Sequence, residues 1–83
     1  MKITAYTTKS CFYCEQLKKL FIKAELEVEY IDVTEREERL EFQSQYPKVR
    51  AFPHVIIDGV EHGGLVNVAK YLVKNGYVST KKG

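Results

Sequence analysis

Between Thr7 and Leu17 the apolar period of the chain changes from two to 3.6, and the only two cysteines, Cys11 and Cys14, stand at the change. Ile3-Thr4-Ala5-Tyr6-Thr7 alternates apolar and polar residues and is rich in β-formers, so it is predicted as a strand. Leu17, Leu20, Phe21 and Ala24 then fall at i, i+3, i+4 and i+7, one apolar stripe on a helix running from about Phe12 to Glu25. The cysteine pair is therefore expected where a strand hands over to a helix.

The rest of the chain extends this unit. Val28 to Val33 reads as a second strand, apolar enough for a central or near-central place in a sheet. Thr34 and Glu37 have capping-box spacing, and Glu35, Glu37 and Glu38 crowd the following turn, which predicts a second helix to about Tyr46. The runs His54–Ile57 and Val60–His62 flank Asp58-Gly59, a hairpin signal because both turn positions favour φ > 0. Leu65, Val68, Ala69, Leu72 and Val73 repeat at helical spacing, and Gly76 is placed to end that helix after Asn75. The order β-α-β-α-β-β-α matches the thioredoxin-like one: an α/β fold whose four-stranded mixed sheet is flanked by helices. Residues 1–78 are expected to form one domain and 79–83 a flexible tail.

Composition narrows the function classes. Eighty-three residues with 45% hydrophobic and 29% charged side chains suit one folded domain and exclude collagen-like or disordered architectures. Thirteen basic and 11 acidic residues are mixed along the chain, giving a net charge of +2 and no nucleic-acid footprint. The longest aliphatic run, Val55-Ile56-Ile57, is far short of a membrane span. Met1–Tyr6 lacks a signal peptide's apolar stretch, so a cytoplasmic protein, acting as a monomer, is expected.

In that context Cys11-Phe12-Tyr13-Cys14 reads as a redox dithiol. At a helix N-terminus Cys11 meets unsatisfied N–H groups and the positive end of the dipole, which favour thiolate, and Lys9 adds a nearby charge. Cys14, one turn deeper, is expected to be sheltered and to resolve what Cys11 attacks. A free thiol is about 3% ionised at pH 7, so full ionisation gains at most ~30-fold in reactive species. Falling nucleophilicity returns ~20-fold of that for a drop of ~3 units, so the benefit falls on Cys11 as a leaving group. A static disulfide is disfavoured because such bonds are uncommon in the cytosol. A zinc site would need His54 and His62, whose seven intervening residues do not fit the three to five of finger-type sites. The histidines are read as strand or loop residues.

Two further features leave alternatives open. Pro53 is either a strand-start proline or part of a cis Phe52-Pro53 bond that would turn the Phe52 backbone toward an extended thiol ligand. Gly63-Gly64 is either a plain turn or a close backbone approach to a ligand carboxylate at a helix start.

Cys11-Phe12-Tyr13-Cys14, Arg50-Ala51-Phe52-Pro53 and His62-Gly63-Gly64, in that order, resemble the glutaredoxin family over nearly the whole chain. The resemblance implies a cis Pro53 and reduction of protein disulfides and glutathione mixed disulfides by glutathione, with Cys11 as nucleophile and Cys14 as resolving thiol. No metal is expected. Lys9, Tyr13, Arg50, Phe52, Pro53, Gly64 and Leu65 then correspond to the glutathione groove, and ribonucleotide reductase is a candidate client by analogy. The chain departs from the family pattern at three places. Phe12 replaces the usual proline between the cysteines, and Lys9 stands two rather than three residues before Cys11. Leu65-Val66-Asn67 puts Val66 where many members have an aspartate for the glutathione amino group, so weaker glutathione binding is expected; Asn67 either reaches into the site or caps the last helix, with the cap favoured. That departure motivates a second reading, an electron donor served by a thioredoxin-type reductase. A third is a protein holding an iron–sulfur cluster between two subunits through Cys11 and glutathione.

Overall fold

A computed structural model describes residues 1–78; the tail expected at 79–83 lies outside the described residues. The elements follow the predicted order: β1 Ile3–Thr7, α1 Phe12–Lys23, β2 Glu29–Asp32, α2 Arg36–Gln45, β3 His54–Ile57, β4 Val60–Gly63 and α3 Leu65–Lys74. They build one four-stranded sheet in the order β2-β1-β3-β4, with β1–β2 parallel and the other two pairings antiparallel.

β1 is central because alternate residues are apolar enough to be covered: Ile3, Ala5 and Thr7 are buried while Thr4 and Tyr6 are only partly so. Its register sets Ile3 against Ile57 and Ala5 against Val55, so the same face of β3 joins the core. Leu17 and Phe21 of α1 and Val68 and Leu72 of α3 close over that face, all at 0% exposure. Each such side chain contributes about 1.5–3 kcal/mol by leaving water. The Asp58-Gly59 turn takes φ +50° and +81° as its sequence requires, and Asp58 is tied to the start of β1 by Lys2 N–H to its Oδ1 at 2.8 Å.

Helices α1 and α3 end alike. Leu26 N–H donates to Phe21 O with Glu25 at φ +56°, and Tyr77 N–H donates to Leu72 O with Gly76 at φ +80°. Both are left-handed C-terminal caps, and in α1 this stops the helix at Lys23 rather than the expected Glu25.

Two expectations are corrected. β2 is an edge strand, not a central or near-central one. The apolar Val28 and Val33 lie just outside it, with Val33 buried, while Glu29, Tyr30 and Asp32 within it are exposed, as an edge permits. The Thr34–Glu37 capping box does not form: α2 is capped at Glu35, without a side-chain hydrogen bond. The Thr34 hydroxyl is committed elsewhere, accepting from Lys9 N–H at 2.7 Å, while Thr34 N–H donates to Asp32 Oδ1 at 2.7 Å. These bonds with Thr34 hold the Asp32 carboxyl below its ordinary value and fasten the β1–α1 loop to the end of β2. No helix among the described residues is long and apolar enough to cross a membrane.

Candidate active site

Cys11 is the N-cap of α1, in extended conformation at φ −106° and ψ 110°, and its Sγ accepts the N–H of Cys14 at 3.2 Å. A sulfur in the capping position takes one of the helix's orphan donors, which no residue earlier in the turn can reach. Ser10, at φ +59°, makes the turn that swings the chain from β1 into this position. Cys11 is half-buried and Cys14 is fully buried, and their sulfurs are joined as a disulfide with the Cα atoms 5.2 Å apart; the thiol properties that follow are those of the reduced form. Burial, followed by the hydrogen bond with Cys11, pushes the Cys14 thiol up to about 11 from its ordinary value of 9.0.

The second wall comes from the other side of the sheet. Phe52-Pro53 is a cis peptide, and the Phe52 carbonyl oxygen lies 3.8 Å from Cys11 Sγ. An aromatic cluster underlies this loop: Phe42 of α2 packs against Phe52, Tyr6 and Tyr46 at centroid distances of 5.2, 4.7 and 5.1 Å. His54, next to Pro53, is buried against Phe42 and Tyr46, and its Nε2 meets Glu61 Oε1 at 3.0 Å. Sequence patterning assigned His54 to the strand but gave no sign of this partner, which sits across the β3–β4 hairpin.

Beside the sulfur runs a groove of about 410 Å³, a size typical of small-ligand sites. Tyr13, Arg50, Phe52, Pro53, Gly64 and Leu65, drawn from three separated segments, all line it. Val66, Asn67 and Ala51 also line it, with Val49, which carries no signal in the sequence. Lys9 is not among the lining residues; it is exposed on the β1–α1 loop. Among the described residues no carboxylate lines the groove. Gly63 and Gly64 divide the work between them. Gly63 needs φ +82°, at an irregularity of the β3–β4 ladder, whereas Gly64, at φ −91°, is the N-cap of α3 and leaves its first turn without a side-chain cap. Asn67 is therefore inside the helix rather than its cap, its Nδ2 close to Gly63, which corrects the expectation from sequence.

A sulfur that takes a helix N–H, with a second sulfur beneath it and an open backbone wall beside it, can exchange disulfides with a ligand lying along that wall. This chemistry on this sheet defines a thioredoxin-like thiol-disulfide oxidoreductase. The Glutaredoxin family model matches residues 3–62, and the chain belongs to the glutaredoxin family. Among solved structures it is similar to glutaredoxin 1 from Francisella tularensis complexed with cacodylate, with TM-score 0.80 and 19% identity over 93% of this chain and 98% of that one. It is also similar to a buckwheat glutaredoxin–glutathione complex, with TM-score 0.75 and 24% identity over 90% and 70%. Glutaredoxin from Brucella melitensis aligns with TM-score 0.68 and 27% identity over 92% and 80%. The first two likenesses, at these identities, speak to the fold alone. Comparison with curated proteins gives no match.

Proposed function

We propose that this protein is a dithiol glutaredoxin that reduces protein disulfides and glutathione mixed disulfides at the expense of glutathione. The observation that carries the reading is the groove itself: Tyr13, Arg50, Phe52, Pro53, Gly64 and Leu65 line it together, and the carbonyl oxygen of Phe52 lies 3.8 Å from Cys11 Sγ. The buckwheat glutaredoxin, similar in fold, is known in complex with glutathione, which supports the same ligand class here.

Cys11 thiolate attacks one sulfur of the client disulfide, forming a Cys11–client bond as the client's second sulfur leaves as a thiolate and takes a proton from water. Cys14, losing its proton, then attacks Cys11 Sγ; the Cys11–client bond breaks and a Cys11–Cys14 disulfide forms. The dithiol has given up two electrons. Two glutathione molecules restore it by two successive exchanges and leave as glutathione disulfide. On a glutathione mixed disulfide the first attack releases the reduced client, and a second glutathione clears Cys11 without Cys14. In this reading the protein works as a monomer in the cytoplasm, with ribonucleotide reductase as one candidate client.

The test is steady-state turnover of a glutathione mixed disulfide by glutathione with catalytic amounts of protein. Wild type turns over, Cys11→Ser does not, and Cys14→Ser keeps this activity while losing protein-disulfide reduction. Turnover surviving in Cys11→Ser overturns the assignment. Val66, 65% exposed in a groove without a carboxylate, favours one second reading, a donor reduced by a thioredoxin-type reductase. Turnover that requires such a reductase and ignores glutathione selects it.

A further inference from the structure

We propose that the outward face of α3 is a docking surface for protein clients whose reactive cysteine is flanked by an apolar, acidic segment. The inference rests on Cys11 as the exchanging thiol and extends that reading from the reacting sulfur to the chain attached to it.

α3 carries two apolar stripes, and the fold uses one. Val68 and Leu72 are buried in the core, with Leu65 and Tyr71 packed against it. Val66, Ala69 and Val73, spaced i, i+3 and i+7, instead line a shallow groove on another side of the helix together with Lys70 and Lys74. The helix Leu65–Lys74 contains no acidic residue, so the two lysines set the sign of this groove.

The groove adjoins the one beside Cys11, since Leu65 and Val66 line both. A chain bonded to Cys11 and leaving over Val66 is delivered onto α3. A tripeptide spans about 10 Å when extended, whereas the ten residues of α3 run for about 15 Å beyond the helix start, so only a longer polypeptide reaches Lys74. The chain's own residues 79–83, Ser-Thr-Lys-Lys-Gly, bring two more lysines and no large apolar side chain, a poor complement to the groove. A client segment with leucine-like and carboxylate side chains satisfies both the stripe and the lysines.

Single-turnover reaction of the reduced protein with cysteine peptides, activated as thionitrobenzoate mixed disulfides, tests this. The peptides carry a Leu/Glu, a Leu/Lys or a Ser/Gly tail on either side of the cysteine. The Leu/Glu peptides are expected to react about tenfold faster than the others at low salt, with the advantage shrinking as salt rises. In Lys70→Glu/Lys74→Glu the advantage falls to about twofold or less, while the rate with hydroxyethyl disulfide is unchanged. Lys70→Gln/Lys74→Gln gives an intermediate loss and keeps the test sound should charge reversal disturb the helix. Equal rates for the three tails, or an advantage that survives charge reversal, overturns the proposal. So does sedimentation showing a dimer that charge reversal dissolves, or lysine-dependent binding to phosphatidylserine vesicles without a peptide effect; these assign the face to a second copy or to a membrane. Failure of the wild type on hydroxyethyl disulfide removes instead the reading of Cys11.

Discussion

The carbonyl oxygen of Phe52 and the Sγ of Cys11 lie 3.8 Å apart although 41 residues separate them in the chain. The contact joins a loop fixed by β3 and α2 to the first turn of α1. A ligand bound through sulfur at Cys11 therefore meets the Phe52 backbone at once.

Burial of Cys14 makes the second half of the exchange pH-dependent. Burial, the largest cause of the raised Cys14 value, persists when Cys11 is bonded to a client, so only a small fraction of Cys14 is thiolate at pH 7, and while the pH stays below that value the fraction rises about tenfold per unit. The resolving step, followed by stopped flow from a preformed Cys11 mixed disulfide, is expected to accelerate with that slope. Clearance of glutathione from Cys11 in Cys14→Ser lacks this step and lacks its slope. A flat profile for resolution between pH 7 and 9.5 contradicts the assignment of Cys14.

The same shift ties stability to pH in the reduced protein. Cys14 holds its proton more firmly when folded than when unfolded, so between about 9 and 11 the unfolded state binds fewer protons and stability falls as pH rises. The contribution is complete below the unfolded value and is lost as the pH rises through the folded one. Tyr6 and Tyr30, also raised chiefly by burial, add a similar trend, but they do so in both redox forms. Urea midpoints of reduced minus oxidised protein cancel the tyrosine contribution and leave that of the dithiol, and the difference is expected to move against the reduced form above pH 9.

Gly63 and Gly64 should respond differently to alanine. At Gly63 an added Cβ sits at φ +82° and 3.3 Å from Asn67 Nδ2, which costs about 1–2 kcal/mol and lowers Tm by roughly 5–10 °C. At Gly64 the Cβ meets Pro53 O at 3.6 Å, an ordinary contact, at an allowed φ. Gly64→Ala is expected to change Tm by no more than about 2–3 °C, since the strain is below about 0.5 kcal/mol, and to raise KM for ligands of the groove it lines. Thermal unfolding of the two variants decides this.

Val66→Asp places a carboxylate on an exposed position of a groove that has none. A glutathione ammonium then gains a partner, worth about 0.5–1 kcal/mol at a solvent-exposed site, and KM for glutathione is expected to fall about two- to fivefold at low salt. Kinetics with varied glutathione measure the change; an unchanged KM means the amino group lies elsewhere.

Local chemistry was legible to the extent that its hydrogen bonds are local. Asp58-Gly59 announced its hairpin because both backbone conformations are set within the two residues, and the result is φ +50° and +81°. Gly76 likewise ended α3 from its own conformational freedom. Thr34 failed as a cap for the opposite reason. Its hydroxyl had a competitor for the helix N–H groups in Lys9 N–H, 25 residues away, which no spacing rule sees. Lys9 itself was counted by its distance from Cys11 along the chain, yet its side chain is not part of the groove.

Sequence by itself determined the order of elements, the placing of Cys11 and Cys14 at a strand-to-helix junction and the two punctuating glycine turns. Period and turn chemistry act over a few residues and survive whatever surrounds them. Tertiary structure alone decided that β2 lies at the edge, that Phe52 O faces Cys11 Sγ and that Val66, Ala69 and Val73 line an open groove while Val68 and Leu72 are covered. Those outcomes depend on which strands pair and which helix face the sheet covers, and such contacts form between segments whose separation the local pattern does not record.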